Sequence, residues 1–384
     1  MCFVFLVEWV VLLTLTKYIN KLFFFCINNK YKMGGGLLQL VAYGAQDVYL
    51  TGNPQITFFK VVYRRHTNFS IESIQQTFNG TPGGGKRVTC QISRNGDLVH
   101  KLYVVFTHPS TGGDLDDARK CISKVEVEIG GQLIDRQYGD WMEIWNELTL
   151  PAGKKDGYVE MIKAVSNMET KAYVPLEFWF CRNIGLALPL IALQYHEVKI
   201  NIEFSNEDFG DATLWADYIF LDTDERRRFA QLSHEYLIEQ VQFTGGETIN
   251  SSNLSAKLSF NHPVKELIWQ GKDASANIIK LGNTKLMLNG NDRFAERDTK
   301  YFTHVQPYQH HTNIPDSGCN INVYSFALKP EEHQPSGTLN MSRIDTAQLK
   351  ISDITVGTGE VKIYAHSYNV LRILSGMGGL AYSN

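Results

Sequence analysis

Five short blocks recur in the same order along the two halves of this 384-residue chain, and that repeat constrains its fold more than any other feature. IESIQ (71–75) is answered by IEQVQ (238–242), VHKLYVVF (99–106) by VKELIWQG (264–271), and VEIGGQLIDR (127–136) by LMLNGNDRFA (286–295). HEVKINIEF (196–204) then falls opposite AQLKISDIT (347–355), and LWADYIFL (214–221) opposite KIYAHSYN (362–369). The separation between partners shrinks along the chain, so the first copy carries the longer loops. Within the blocks apolar side chains alternate, as at Val198, Ile200, Ile202 and Phe204, or Leu349, Ile351 and, less regularly, Ile354. A period of two marks strands with one buried face.

Turn dipeptides separate the blocks at Asn95-Gly96, Gly130-Gly131 and Asn289-Gly290. The pattern predicts an all-β chain of two tandem antiparallel sandwiches. Among such sandwiches, the jelly roll has eight strands per unit and closes its sheets over one core. Short helices enter as loop insertions, and DGYVEMIKAVSNMET (156–170) has helical spacing at Val159, Ile162 and Val165. The length also fits two domains. The first is expected over 33–223, including an N-terminal arm, and the second over 224–384. Between them, Asp222, Asp224 and Glu225 neutralise Arg226-Arg227-Arg228, which predicts a solvated linker or local salt bridges, not a phosphate contact.

Residues 1–32, MCFVFLVEWVVLLTLTKYINKLFFFCINNKYK, differ in composition from the rest. The apolar run is interrupted by Glu8 and is shorter than the about 20 residues of a spanning helix. It also has no basic start and no small-residue cleavage site. Three readings stay open: a membrane-contacting arm, an extra packed element, or an upstream extension before a natural start at Met33-Gly34-Gly35-Gly36. The six cysteines, at 2, 26, 90, 121, 181 and 319, show no metal or redox spacing and are expected as buried free thiols. A net charge of -3 supplies no field for nucleic acid, and no specific nucleic-acid partner is expected.

Two stretches resemble chemistry. GTPGGGKR (80–87) has the spacing of a phosphate-cradling loop, but Arg87 stands where the magnesium-binding hydroxyl belongs. Strands are predicted on both sides of it, whereas a phosphate loop must run into a helix whose amides hold the anion. It reads as a hairpin loop. The second is THVQPYQHH (303–311) together with Glu331-Glu332-His333. His310, His311, Glu331 and His333 would serve a metal-dependent or carbohydrate-binding jelly roll. Strand-borne ligands should alternate, however, and adjacent histidines point to opposite faces. Loop side chains bonded to backbone are the expectation, with no catalytic, cofactor or metal residues assigned and no cofactor implied.

Four long stretches carry a family resemblance: GGLLQLVAYGAQDVYLTGNPQITFFKVVYRRHTNFSIES, NIGLALPLIALQYHEVKI, YSFALKPEEHQPSGTLNMSRID and RILSGMGGLAYSN. In this order they resemble major capsid proteins of nucleocytoplasmic large DNA viruses, over residues 33–384. The resemblance implies a double jelly roll that trimerises into a pseudo-hexagonal capsomer of a large icosahedral shell. It implies neighbouring capsomers, minor capsid and penton proteins as partners, a virion location and assembly in the host cytoplasm. A minor capsid paralogue is the nearest alternative. An inward-facing arm is implied for Leu37 to Phe59, with Asp47, Tyr49, Thr51 and Gly52 at its base. Viruses of this group commonly enclose a membrane beneath the shell, which leaves contact with it open. Trp141, Trp145, Trp179, Phe302 and Tyr308 are candidates for either core or trimer interface.

Overall fold

The computed structural model describes residues 35–42, 44–109, 114–165, 170–354 and 358–382. The apolar leader, 1–32, lies outside the described residues. A segment ending at His66 and a body from Thr67 onward form two separate units. The described part of the first unit has two short helices, α1 (Gly35–Val41) and α2 (Val48–Thr51). Asp47, just before the second, accepts from the Gly44 amide at 2.7 Å. Leu40, Tyr49, Leu50, Phe58 and Phe59 are exposed along this segment.

In the body, eight strands build the first sandwich. They are β1 (Phe69–Gln76), β2 (Arg87–Gln91), β3 (Leu98–Thr107), β4 (Ile122–Ile129), β5 (Gln132–Tyr138), β6 (Lys171–Pro175), β7 (Val198–Phe204) and β8 (Ala212–Leu221). They pair antiparallel in the orders β1-β8-β3-β6 and β2-β7-β4-β5. The second sandwich uses β9 (His234–Ile249), β10 (Leu254–Leu258), β11 (Pro263–Asp273), β12 (Thr284–Leu288), β13 (Asn291–Asp292), β14 (Asn322–Ser325), β15 (Ala347–Ile351) and β16 (Gly359–Leu374). Its orders are β9-β16-β11-β14 and β10-β15-β12-β13, the same wiring eight strands on. This is the jelly-roll order, twice.

The alternation explains both cores. Val198, Ile200, Ile202 and Phe204 are buried with Val104, Phe106 and Val127 in one, and Leu349, Ile351 and Ile354 with Leu267 and Trp269 in the other. Gly130-Gly131 and Asn289-Gly290 turn the two equivalent hairpins with positive φ at both residues, which the right-handed twist of the strands requires. GTPGGGKR connects the short strand Phe78–Asn79 to β2 and meets no helix.

Strand pairing corrects the repeat by one residue in its last block. By sequence similarity, Asp217 stands opposite Ala365. In the sheets, Ala216 pairs with Leu102 just as Ala365 pairs with Leu267, so Ala216 is the equivalent residue. A slip of one exchanges the two faces of a strand, which makes the correction consequential.

Helices depart from expectation in three places. The insertion helix is α4, Ala152–Met161, after α3, Gly139–Thr149; Val165 lies beyond it, next to the bridge between Leu115 and Ala164. After α5 (Trp179–Arg182), the charged connection between the sandwiches is itself a helix, α6 (Thr223–Gln231), with Asp222 bonded to the Thr223 amide at its start. Acids in its first turn and Arg228 in its last complement the helix dipole, and Arg226 meets Asp97 at 3.0 Å. THVQPYQHH folds as a π-helical turn, Tyr301–Val305, running into α7 (Gln306–His310).

The chain ends by returning to its first half. Met377–Leu380 pairs with β16, and Gly378 and Leu380 meet His196 and Gln132 of the first sandwich. A Cβ on Gly378 would stand 2.7 Å from a Leu193 methyl, so only glycine permits that approach. Cys90, Cys121 and Cys181 are buried free thiols and Cys319 is partly buried. Burial pushes the Cys90 thiol up to about 12.

Candidate functional site

The seam between the sandwiches gathers most of the unusual chemistry. In α3, Trp141, Ile144, Trp145 and Leu148 fall at helical spacing and form one apolar stripe. The stripe packs on the outer face of the second sandwich, against Val241, Ile268, Val323 and Tyr364, as a third apolar cluster apart from both cores. Strand parity makes this possible. Val361, Ile363 and Ala365 of β16 enter the core, while Tyr364 joins the seam and Lys362 reaches α3. Asp140, in the first turn of α3, accepts from Lys272 at 2.8 Å and Lys362 at 2.6 Å. Burial would raise its pKa, yet these lysines hold it below the usual carboxylate range. Asp135 accepts from the Val241 amide at 3.1 Å, with burial raising its pKa to about 7.

Beside this apolar seam runs a chain of buried charges. Glu239 on β9 lies 3.0 Å from Arg182, 2.8 Å from Lys265 and 3.3 Å from His366 Nε2. The other nitrogen of His366 meets Glu266 at 3.1 Å. Glu266 in turn is 2.9 Å from His311 Nε2, an ion-pair contact without hydrogen-bond alignment. His311 Nδ1 then bonds Glu331 at 3.0 Å. Arg182 also stacks over Trp145, 4.7 Å from its ring centre, and Trp145 meets the His366 ring edge-on.

Electrostatics shifts the titration of Glu239, Glu266, His311 and Lys265. Burial alone would raise the Glu239 and Glu266 pKa values. The Arg182, His333 and His366 contacts hold Glu239 far below the carboxylate range, and His311 and His366 do the same for Glu266. His311 shows the mirror case: burial lowers it, but Glu266 and Glu331 raise it to about 9. Lys265 is lowered, chiefly by burial. The arrangement therefore stores complementary charge between two sandwiches, and its partners occupy one another.

The histidines and acids singled out in the sequence are placed unequally. His311 and Glu331 do meet, in the ion pair above, which corrects the expectation of purely side-chain-to-backbone bonds. His333 Nδ1 lies 3.6 Å from Glu239, and its carbonyl accepts from Tyr368 at 3.1 Å. His310 is apart from the network and contacts the Leu328 carbonyl at 3.0 Å. Glu332 pairs with Lys329 at the surface. Among the described residues no group of three or more His, Cys, Asp or Glu is arranged to hold a metal ion. Glu239, Lys265, Glu266, His366 and Arg182 were not singled out in advance. Their signal was a charged pair inside the apolar run VKELIW and a histidine inside IYAHSY. Of the aromatic candidates, Trp141, Trp145, Trp179 and Phe302 are buried within the chain, whereas Tyr308 is 76% exposed.

Two eight-stranded sandwiches of identical wiring, joined by a largely buried charge network, define a tandem jelly-roll structural protein. The chain matches the family described as major capsid protein N-terminus over residues 57–222, and that of large eukaryotic DNA virus major capsid proteins over 225–379. It is 56% identical to the major capsid protein of Pyramimonas orientalis virus, covering 92% of this chain and 100% of the relative. With that of Phaeocystis pouchetii virus it shares 44%, at the same coverage. The crystal structure of PBCV-1 VP54, fitted into a reconstruction of the virophage Sputnik, superposes with a TM-score of 0.78 at 40% identity, over 85% of this chain and all of that one. The chain belongs to the major capsid proteins of large eukaryotic DNA viruses.

Proposed function

We propose that this chain is the principal structural subunit of a large icosahedral capsid, working as a homotrimer of pseudo-hexagonal outline. One observation carries the reading: a single chain holds two sandwiches with the same strand order, so three chains supply six similar units. On this reading the domains divide at 223/224, with α6 as the joint. The exposed apolar segment before Thr67 serves as the arm at the shell's inner side, where contact with an inner viral membrane belongs. Neighbouring capsomers, minor capsid proteins and penton proteins are its further partners, and assembly takes place in the host cytoplasm. The seam charges hold the building block in one shape and perform no catalysis. Native mass measurement with negative-stain imaging of the purified full chain tests the reading. Three chain masses and a hexagonal outline are expected; a monomer persisting at high concentration overturns it.

A further inference from the structure

The corrected register makes the two sandwiches comparable side chain by side chain. With Ala216 equivalent to Ala365 and Leu102 to Leu267, Tyr103 holds the place of Ile268, Trp215 that of Tyr364, and Asp217 that of His366. In the second sandwich this outer face is roofed by α3, which arises from the connection between β5 and β6. The first sandwich leaves open the end of this face that holds Tyr103, Tyr173 and Trp215, whereas Ile219 and Leu98 at its other end are covered by Ala187 and Phe229. Tyr173 is 41% exposed, Ile71 is exposed, and the Tyr103 ring lies parallel to Trp215 with centres 6.5 Å apart. A hollow of about 720 Å³ opens beside Tyr103 and Tyr173.

The matching roof also exists. The connection between β13 and β14 is the equivalent insertion, and it carries the π-helical turn and α7. Phe302 plugs the second core from this element, while Val305 and Tyr308 are exposed on it. Each chain thus has one roofed face, one open face, one roof in use and one unused. Exposed apolar and aromatic clusters of this kind mark association surfaces.

We infer that the π-helical turn and α7 of one copy, through Val305 and Tyr308, close the open face formed by Ile71, Tyr103, Tyr173 and Trp215 on a second copy. The occupant is a second copy because the contact continues an interface the chain already makes within itself, using equivalent elements in equivalent places. Such a contact is head-to-tail, and closing it around three chains gives a ring in which six like seams alternate within and between subunits. The inference rests on the trimeric reading above and names its contact surface.

The test uses full-length protein carrying Tyr308→Glu or Tyr173→Glu. Each variant is expected to lose at least tenfold of its trimer at fixed concentration, with unchanged circular dichroism. Mixing the two leaves one intact roof and one intact face, so two-chain particles should form. Hydrogen exchange in the wild-type trimer should slow at 301–310 and 171–175 relative to dissociated chain. Trimers of both variants, or unchanged exchange at those segments, overturn the inference and leave the trimeric capsomer standing. A wild-type chain that stays monomeric overturns both.

Discussion

His311 and Glu266 meet at 2.9 Å with both side chains wholly withdrawn from solvent. One comes from a loop after α7 and the other from the middle of β11, so the contact ties the outer loops of the second sandwich to its sheet. Through His366 the same carboxylate is linked to Glu239, and through Glu239 to Arg182 of the first sandwich.

Glu266→Gln keeps the shape of this residue but removes its charge. His311 then keeps only Glu331, and the buried imidazoles of His311 and His366 both lose the carboxylate they share. Breaking a buried pair in this way costs about 3–5 kcal/mol. Urea denaturation should show the loss as a lower midpoint with an unchanged slope. A change under about 1 kcal/mol, the value of an exposed pair, would show that the network carries little stability.

Stability should fall towards alkaline pH. His311 is raised from 6.5 to about 9, so between those values the folded chain retains a proton that the unfolded chain releases. Its contribution is complete below about 6.5 and is lost as pH rises through about 9, on the order of 3 kcal/mol in all. Glu239 and Glu266 act in the opposite sense: depressed from 4.5, they contribute fully above that value and lose it only in strong acid. Stability from the network therefore peaks between 4.5 and 6.5. The decline from pH 6 to 9.5 should flatten in His311→Gln; equal profiles for both proteins would exclude the assignment.

Trp145→Ala removes the centre of the seam and leaves both cores intact. A loss of about 3–5 kcal/mol is expected from the cavity. Amide exchange should quicken in α3 and on the seam side of β11 and β16, with β7 and β15 still protected. Uniform acceleration through both cores would mean that the seam is not a separate cluster.

Removing residues 33–55 deletes α1 and α2 and part of the exposed apolar segment, and none of its described residues contributes to a strand. The truncated chain should stay soluble and fold, yet fail to build shells when expressed in an assembling system. Normal particles from it would refute a role for the arm.

Much of this architecture was readable because period-two alternation is a local signal. Val198 to Phe204 declares its buried face without knowing its neighbours, and the Asn-Gly and Gly-Gly turns declare theirs. The helix α3 was also legible in principle, since Trp141, Ile144, Trp145 and Leu148 have helical spacing, but the eye attends to the aromatics as isolated candidates. The charge network was not. Glu266 and His366 are adjacent only because β11 and β16 pair, and nothing near either residue records that pairing. His311 and Glu331 meet within one loop system, and their nearness along the chain makes that legible. Glu266, the second carboxylate facing His311, belongs to a strand outside that loop system. The one-residue error in the repeat has the same origin: similarity of composition is indifferent to which side of a sheet a residue faces.

The return of Met377–Leu380 to β16, with His196 and Gln132 held against it, also sets an order of events in folding. His196 and Gly378 stand 182 residues apart in the chain, and domains generally fold as units. Each sandwich can therefore form by itself, and this contact closes only after both are in place, as a latch between them.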